Sequence, residues 1–299
     1  MKKVVCSVFA AALALAASNA SAEELWNPHL RGTDEGLAAG ALPPEGVYFI
    51  NDTYFGAWKS FDGSGNQTGS KLDVMIDIPI LLWNPGVKVL GADYAVAIAQ
   101  PVDYTSVYSN STAATGNGHF GTFNTVVIPG MLSWALPYDL HVKTQLAVYV
   151  DDPSSSPAHP APAGGAGAGN SFWTLEPGLG VSWLHEGWDL SASLHYDYNF
   201  KDNTTNYQSG DQIAAEYTAT KDIGKWTAGA GFYQENQLER DTINGVSKAG
   251  TTRLTYGVGP IVGYNFGPVD LTATYNYNIT THNDFGGDIL NVRLIAPLY

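Results

Sequence analysis

Few residues in this chain have the type and spacing that chemistry needs. His195 lies near Ser191 and Ser193, and a histidine base beside a serine hydroxyl is the pairing a hydrolase uses. His141 falls on the same kind of face. Nothing around either residue activates a nucleophile. Gly180-Val181-Ser182-Trp183-Leu184 lacks the second glycine of a nucleophile elbow. The run Gly164-Gly165-Ala166-Gly167-Ala168-Gly169 has no following Gly-Lys-Ser/Thr, so it is no phosphate cradle. The seven histidines are scattered without metal-ligand spacing. No catalytic residue, metal or cofactor is expected. What remains is a set of polar residues on one phase of extended segments: Asp73, Asp77, Lys143, Gln145, His195, Asp197, Arg253 and Arg293. Opposite charges facing each other across a narrow lumen would orient a dipolar or aromatic solute. Asp73 and Arg253 are expected nearer the external mouth. The same residues could equally form ion pairs that fill a small closed barrel.

The elements that must position them are strands. From Trp188 to Phe200, Trp188, Leu190, Ala192, Leu194, Tyr196, Tyr198 and Phe200 fall on one side, and Asp189, Ser191, Ser193, His195, Asp197 and Asn199 on the other. Twelve such segments are expected, near 46–59, 70–82, 88–100, 122–135, 139–150, 171–184, 187–200, 211–221, 225–238, 251–264, 268–280 and 287–298. Their lengths suit tilted membrane strands. The apolar phases Leu72 to Leu82, Leu140 to Val150, Trp188 to Phe200, Thr252 to Tyr264, Val269 to Ile279 and Leu290 to Leu298 carry no charged residue. A lipid-facing Arg or Lys costs about 2–4 kcal/mol at midplane, so these phases are assigned to lipid. The polar run Thr272, Thr274, Asn276, Asn278, Thr280 suits a wet lumen. A soluble β-sandwich would bury its apolar phase instead. The long even strands oppose that alternative.

Short connections alternate with longer ones. Asn84-Pro85-Gly86, Pro137-Tyr138, His185-Glu186, Asp222-Ile223-Gly224 and Phe266-Gly267 are the short ones, built from turn formers. Longer loops are expected at 60–69, 101–121, 151–170, 201–210, 239–250 and 281–286. Barrels in the outer membrane place short turns in the periplasm and long loops outside. Trp83, Trp134, Tyr138, Trp183, Trp188, Trp226 and Phe266 cluster near the short turns, as an interfacial aromatic girdle would. Residues 153–169 are rich in Pro, Ala, Ser and Gly, which marks a flexible external loop.

The start of the chain gives the compartment. Lys2 and Lys3, the apolar stretch Val4 to Ala17 and Ala20-Ser21-Ala22 make residues 1–22 a cleavable signal peptide. The single cysteine, Cys6, lies within it, so the mature chain has no thiol. Removing Lys2 and Lys3 leaves 12 Lys+Arg against 28 Asp+Glu, which excludes a generic nucleic-acid binder. The 8 Trp, 17 Tyr and 11 Phe exclude an acidic disordered chain. No later window is apolar enough for a membrane helix. Residues 23–45 precede the first strand as a periplasmic tail or a segment folded into the lumen, and 46–299 form the barrel.

Several stretches resemble the MetA-pathway of phenol degradation family of outer-membrane proteins. They are Leu42-Pro43-Pro44-Glu45-Gly46-Val47-Tyr48, Gly169-Asn170-Ser171-Phe172-Trp173, and Tyr198-Asn199-Phe200 followed by Tyr207-Gln208-Ser209-Gly210-Asp211. Gly229-Ala230-Gly231-Phe232-Tyr233 with Gln237 and Asp241 is the fourth. The chain departs from the family between Asp152 and Ala168. The resemblance implies a barrel that moves aromatic or hydrophobic compounds inward, with no catalytic residues.

Together these features predict an all-β, twelve-stranded transmembrane antiparallel barrel in the outer membrane of a Gram-negative cell. Its function is expected to be uptake of small aromatic or hydrophobic compounds. A barrel enzyme or an adhesin acting through external loops is the alternative. Expected partners are outer-membrane lipid and lipopolysaccharide, a small-molecule solute and the barrel-assembly machinery, with no nucleic acid. If lipid covers the apolar phases, the purified mature protein stays monodisperse only in detergent. Size-exclusion chromatography with and without detergent checks this, and a monodisperse peak in plain buffer refutes it.

Overall fold

A computed structural model describes residues 26–108, 116–156, 158–159 and 169–298. The expected signal peptide and much of the Pro/Ala/Gly-rich loop lie outside the described residues. Among those described there is no helix, and every long element is a strand.

Twelve staves close into a barrel. The first two are Gly46–Phe61 and Gln67–Asn84. The third is broken into Ala92–Ala99 and Val102–Tyr108, and the fourth into Gly116–Thr122 and Val126–Leu136. The remaining eight are Leu140–Tyr149, Thr174–His185, Trp188–Asn199, Gln212–Ile223, Trp226–Gln237, Leu254–Asn265, Asp270–His282 and Phe285–Pro297. Each pairs antiparallel with the next, and the last returns to the first, with Tyr48 opposite Pro297 and Ser60 opposite Phe285. Pro101 explains the break in the third stave, because it has no N–H to give to the ladder. The Gln100 side chain covers the gap by donating to the Phe123 carbonyl at 2.9 Å.

Local chemistry sets the turns. Glu186 and Gly187 form a two-residue hairpin with φ of +48° and +79°, the conformation that matches strand twist and that glycine adopts without cost. At the opposite rim, Asp62 accepts hydrogen bonds from the backbone N–H of Ser64 (2.8 Å) and Asn66 (2.9 Å), which tightens the first loop to residues 62–66. Those two backbone donors hold the Asp62 carboxyl below its usual range.

Three connections differ from expectation. The segment expected as a loop at 101–121 is mostly strand, since the third and fourth staves run on as a hairpin. The segment at 281–286 shrinks to Asn283 and Asp284. Lys88–Val89 pairs with Ala92 and Asp93 in a small hairpin on the short-turn side. A three-stranded patch of Tyr207–Gln208, Thr242–Ile243 and Val246–Ser247 covers part of the other rim.

Five of the six phases assigned to lipid point outward. Trp188, Leu190, Leu194, Tyr196, Tyr198 and Phe200 are all exposed, while Ser191, Ser193, His195, Asp197 and Asn199 are buried. The second stave is the correction. Leu72, Val74, Ile76, Ile78 and Leu82 are buried inside the barrel, and Asp73 and Asp77 stand on the outer face. Leu72 to Ile78 pack in one cluster with Trp26, Tyr54, Trp58, Phe123, Tyr233 and Ile289. The assumption of a wet interior fails here because protein, not water, fills this side of the lumen. Asp77 is accommodated outside by its neighbours, accepting hydrogen bonds from Asn51 (2.7 Å) and Thr53 (3.0 Å) on the first stave.

Register can be tested by labelling, because the only natural cysteine is Cys6. A fluorophore on Met75→Cys should be quenched by brominated lipid, and one on Val74→Cys should not. The reverse pattern would place Asp77 in the lumen after all.

Candidate functional site

The inner wall is divided. Staves six to twelve present polar side chains inward, among them Glu176, His195, Asp197, Glu216, Glu235, Arg253, Asn276 and Arg293, all buried. Staves one to four present mainly apolar ones. Residues 26–41 run between the two walls. Trp26 sits at the long-loop end, where its backbone N–H donates to Asn170 Oδ1 (2.8 Å) and its ring meets Phe123. Gly40 sits near the short turns, donating to Ser182 (2.7 Å) and accepting from Ser133 (2.8 Å).

Between those ends the segment is held by charge. The Arg31 guanidinium reaches Asp284 (2.7 Å) and Glu235 (3.0 Å), and it lies over the Trp58 ring. Glu216 accepts from the backbone N–H of Gly32 (2.7 Å) and Asp34 (2.6 Å) and contacts His29 (3.1 Å). Arg293 pairs with Asp52 (2.9 Å) and donates to the carbonyls of Glu35 (2.9 Å) and Thr33. Asn276 donates to Glu35 at 2.7 Å. Buried charges persist only when paired, and here both partners are supplied within the barrel. Gly180 makes room for the segment: a Cβ there would lie 2.0 Å from the Ala39 carbonyl oxygen.

The segment does not fill the lumen. A cavity of about 170 Å³ remains between residues 28–37 and the wall. Ile50, Ile78, Ile80, Ala97, Ile128 and Phe123 form its apolar side, and His29, Asp34, Gln145, Glu176, His195 and Arg293 its polar side. A dry cavity of ~150 Å³ holds one benzene, so this space suits a single aromatic ring.

Six of the eight sequence-selected lumen residues face inward: Lys143, Gln145, His195, Asp197, Arg253 and Arg293. They do not form one continuous row. Gln145, His195 and Arg293 border the cavity. Lys143 lies within electrostatic range of Asp34. Asp197 accepts from Gln212 at 2.6 Å, and Arg253 contacts Gln212 and lies 3.8 Å from Asp284. Asp73 and Asp77, on the outer face, belong to no lumen path. Sequence reasoning missed His29, Arg31, Asp34, Glu35, Asp52, Glu176, Glu216 and Glu235. Glu176, Glu216 and Glu235 carried a signal, since each lies on the polar phase of its strand. The residues at 29–35 carried none, because their segment has no periodicity.

A hydrolytic pairing is not assembled. Both ring nitrogens of His195 face carboxylates, Glu176 and Asp34, each at 2.8 Å. Ser191 bonds to Ser182 and Asp189 instead. Outside, Trp83, Tyr138, Trp188, Trp226 and Phe266 are exposed at the short-turn end, with Trp134 and Trp183 half-buried beside them. Residues 198–200 and 207–211, with Gln237 and Asp241, lie at the opposite rim, where Asp241 accepts from the Gly210 N–H (3.0 Å), Gln237 (2.6 Å) and Tyr207, whereas residues 42–48 lie at the short-turn end, with Gly46 opposite Asn84.

Removing the Arg293 charge with Arg293→Met would leave the Asp52 carboxylate with the Asn291 amide but no cation, and two segment carbonyls without their donor. Breaking a buried pair from one side costs about 3–5 kcal/mol. The expected result is protease cleavage within residues 26–41 of the folded variant, with no cleavage of the parent. Equal resistance would show that the lattice does not hold the segment.

A family model described as "Putative MetA-pathway of phenol degradation" matches residues 59–294. No curated protein matches the chain. Among solved structures, the COG4313 outer membrane channel from Pseudomonas putida F1 is 12% identical and overlays with a TM-score of 0.75, covering 88% of this chain and 99% of that one. The translocator domain of the autotransporter NalP from Neisseria meningitidis is 14% identical, with a TM-score of 0.49 and coverage of 87% and 91%. The CymD monoaromatic hydrocarbon channel is 11% identical, with a TM-score of 0.42 and coverage of 92% and 94%. The last two overlays are too loose to say anything of this chain.

Proposed function

Because this chain belongs to the MetA-pathway of phenol degradation family, we propose that it is an outer-membrane channel for uptake of small aromatic or hydrophobic compounds. The observation that carries this reading is the cavity of about 170 Å³ inside the barrel, apolar on one side and polar on the other. A general porin needs an open, water-filled lumen, whereas here residues 26–41 and the apolar second stave occupy it. Burying one ring against Ile50, Ile78 and Ile128 gains about 25 cal/mol per Å² of apolar surface. A single hydroxyl or carboxylate on that ring would meet Gln145 or Arg293 across the cavity.

Of the sequence-selected residues, Gln145, His195 and Arg293 then line the solute path, and Lys143, Asp197 and Arg253 tune its charge from further along the wall. The aromatic girdle sets the barrel's height in the membrane. Lipid and lipopolysaccharide are its surroundings, and the barrel-assembly machinery its route there. The carboxylate-bound ring of His195 supports a conduit over a catalyst, since a histidine base must reach its nucleophile.

Filling the cavity tests the reading. Ala147→Trp and Ala97→Trp point into it, and Leu146→Trp points to lipid. In cells lacking other aromatic channels, the two filled variants should take up a labelled phenol about tenfold more slowly, equivalent to ~1.4 kcal/mol. Leu146→Trp should transport normally. Undiminished uptake through a correctly folded Ala147→Trp barrel would remove the cavity from the path.

A further inference from the structure

The internal segment and the wall meet at His29, His195 and Glu176, and the geometry points to a binding site there for a divalent transition-metal ion of the zinc class. All three side chains are buried, and their ligand atoms lie within 4.8 Å of one another. The two imidazoles are stacked, with ring centroids 4.1 Å apart.

The outer nitrogens of the rings are already committed. His29 Nε2 faces Glu216 at 3.1 Å, and His195 Nε2 faces Asp34 at 2.8 Å. A carboxylate behind a histidine fixes the N–H on that nitrogen and leaves the other with a lone pair, the usual support of a metal-bound imidazole. Both Nδ1 atoms aim at Glu176: His195 Nδ1 lies 2.8 Å from Oε1, and His29 Nδ1 lies 3.5 Å from Oε2. An Nδ1 facing a carboxylate at this distance needs positive charge between them, supplied either by a proton on each ring or by one metal ion. The 3.5 Å separation is long for a hydrogen bond. It is close to the spacing of ~3.3–3.4 Å between two ligands on one tetrahedral zinc, given metal–ligand bonds of ~2.0–2.1 Å. His195 would need to draw back by about half an ångström to match it. Glu176 is itself oriented, since Tyr149 donates to Oε2 at 2.8 Å. Two imidazoles with one carboxylate favour zinc-like ions over the oxygen-seeking calcium and magnesium.

The three ligands also border the cavity, so a fourth coordination position would open into it and hold water. His29 belongs to the internal segment, and Glu176 and His195 belong to the wall. A bound ion would therefore staple one to the other. This proposal stands independently of the transport reading.

The full-length mature protein in detergent, stripped with chelator, is titrated with Co²⁺ and then Zn²⁺. One equivalent of Co²⁺ should bind with a visible absorption band of imidazole ligation, and Zn²⁺ should displace it. His29→Gln and Glu176→Gln should each weaken binding at least tenfold. His29→Gln leaves the barrel wall intact, so its loss of binding cannot come from failed assembly. His185→Gln is the control for the exposed group His185, Asp139 and Glu186, and it should bind normally. No saturable Co²⁺ binding by the parent would overturn the proposal and leave protons as the only bridge. So would binding that survives His29→Gln or disappears in His185→Gln.

Discussion

The first stave hydrogen-bonds to the twelfth from Tyr48 opposite Pro297 to Ser60 opposite Phe285, and that seam removes the last open edge of the sheet. In hydrocarbon no water satisfies an unpaired N–H or C=O, so a spanning sheet must close on itself. Closure then imposes a second condition. With its outer face committed to lipid, the barrel has an inside whose contents must be specified residue by residue.

This chain fills that inside in two ways at once. On the side of the first four staves it uses ordinary apolar packing, with Tyr54, Ile76, Ile78 and Phe123 meeting Trp26. On the other side it uses ion pairs and charge-assisted hydrogen bonds. Residues 26–41 touch both walls, turning Leu30 to one and Arg31 to the other. The arrangement leaves a space with one dry wall and one polar wall. An aromatic ring with a single polar group matches that pair of surfaces better than an ion or a sugar does.

The charge lattice also explains why so many acidic residues are tolerated in the barrel. Glu235 and Asp284 share Arg31, Asp52 takes Arg293, and Glu176, Glu216 and Asp34 surround His29 and His195. Replacing buried ions by apolar groups is often neutral for stability. Their value here lies in position: four cationic or imidazole side chains along the wall and the internal segment fix where that segment lies.

Much of the architecture was legible in the residues alone. Strands of period two, turn formers at regular intervals and aromatic residues by the short turns gave twelve staves, because lipid imposes one rule on every outward position. The seventh stave, Trp188–Asn199, was read correctly residue by residue. The second was not, since Leu72 to Leu82 is as apolar as any lipid-facing phase, and alternation names two faces without saying which is inside. Only the tertiary structure decided that. It also decided that residues 26–41 occupy the lumen and bring His29 within reach of Glu176 and His195, far apart in sequence. An irregular segment has no periodicity to reveal its partners; its contacts are fixed by the wall that closes around it.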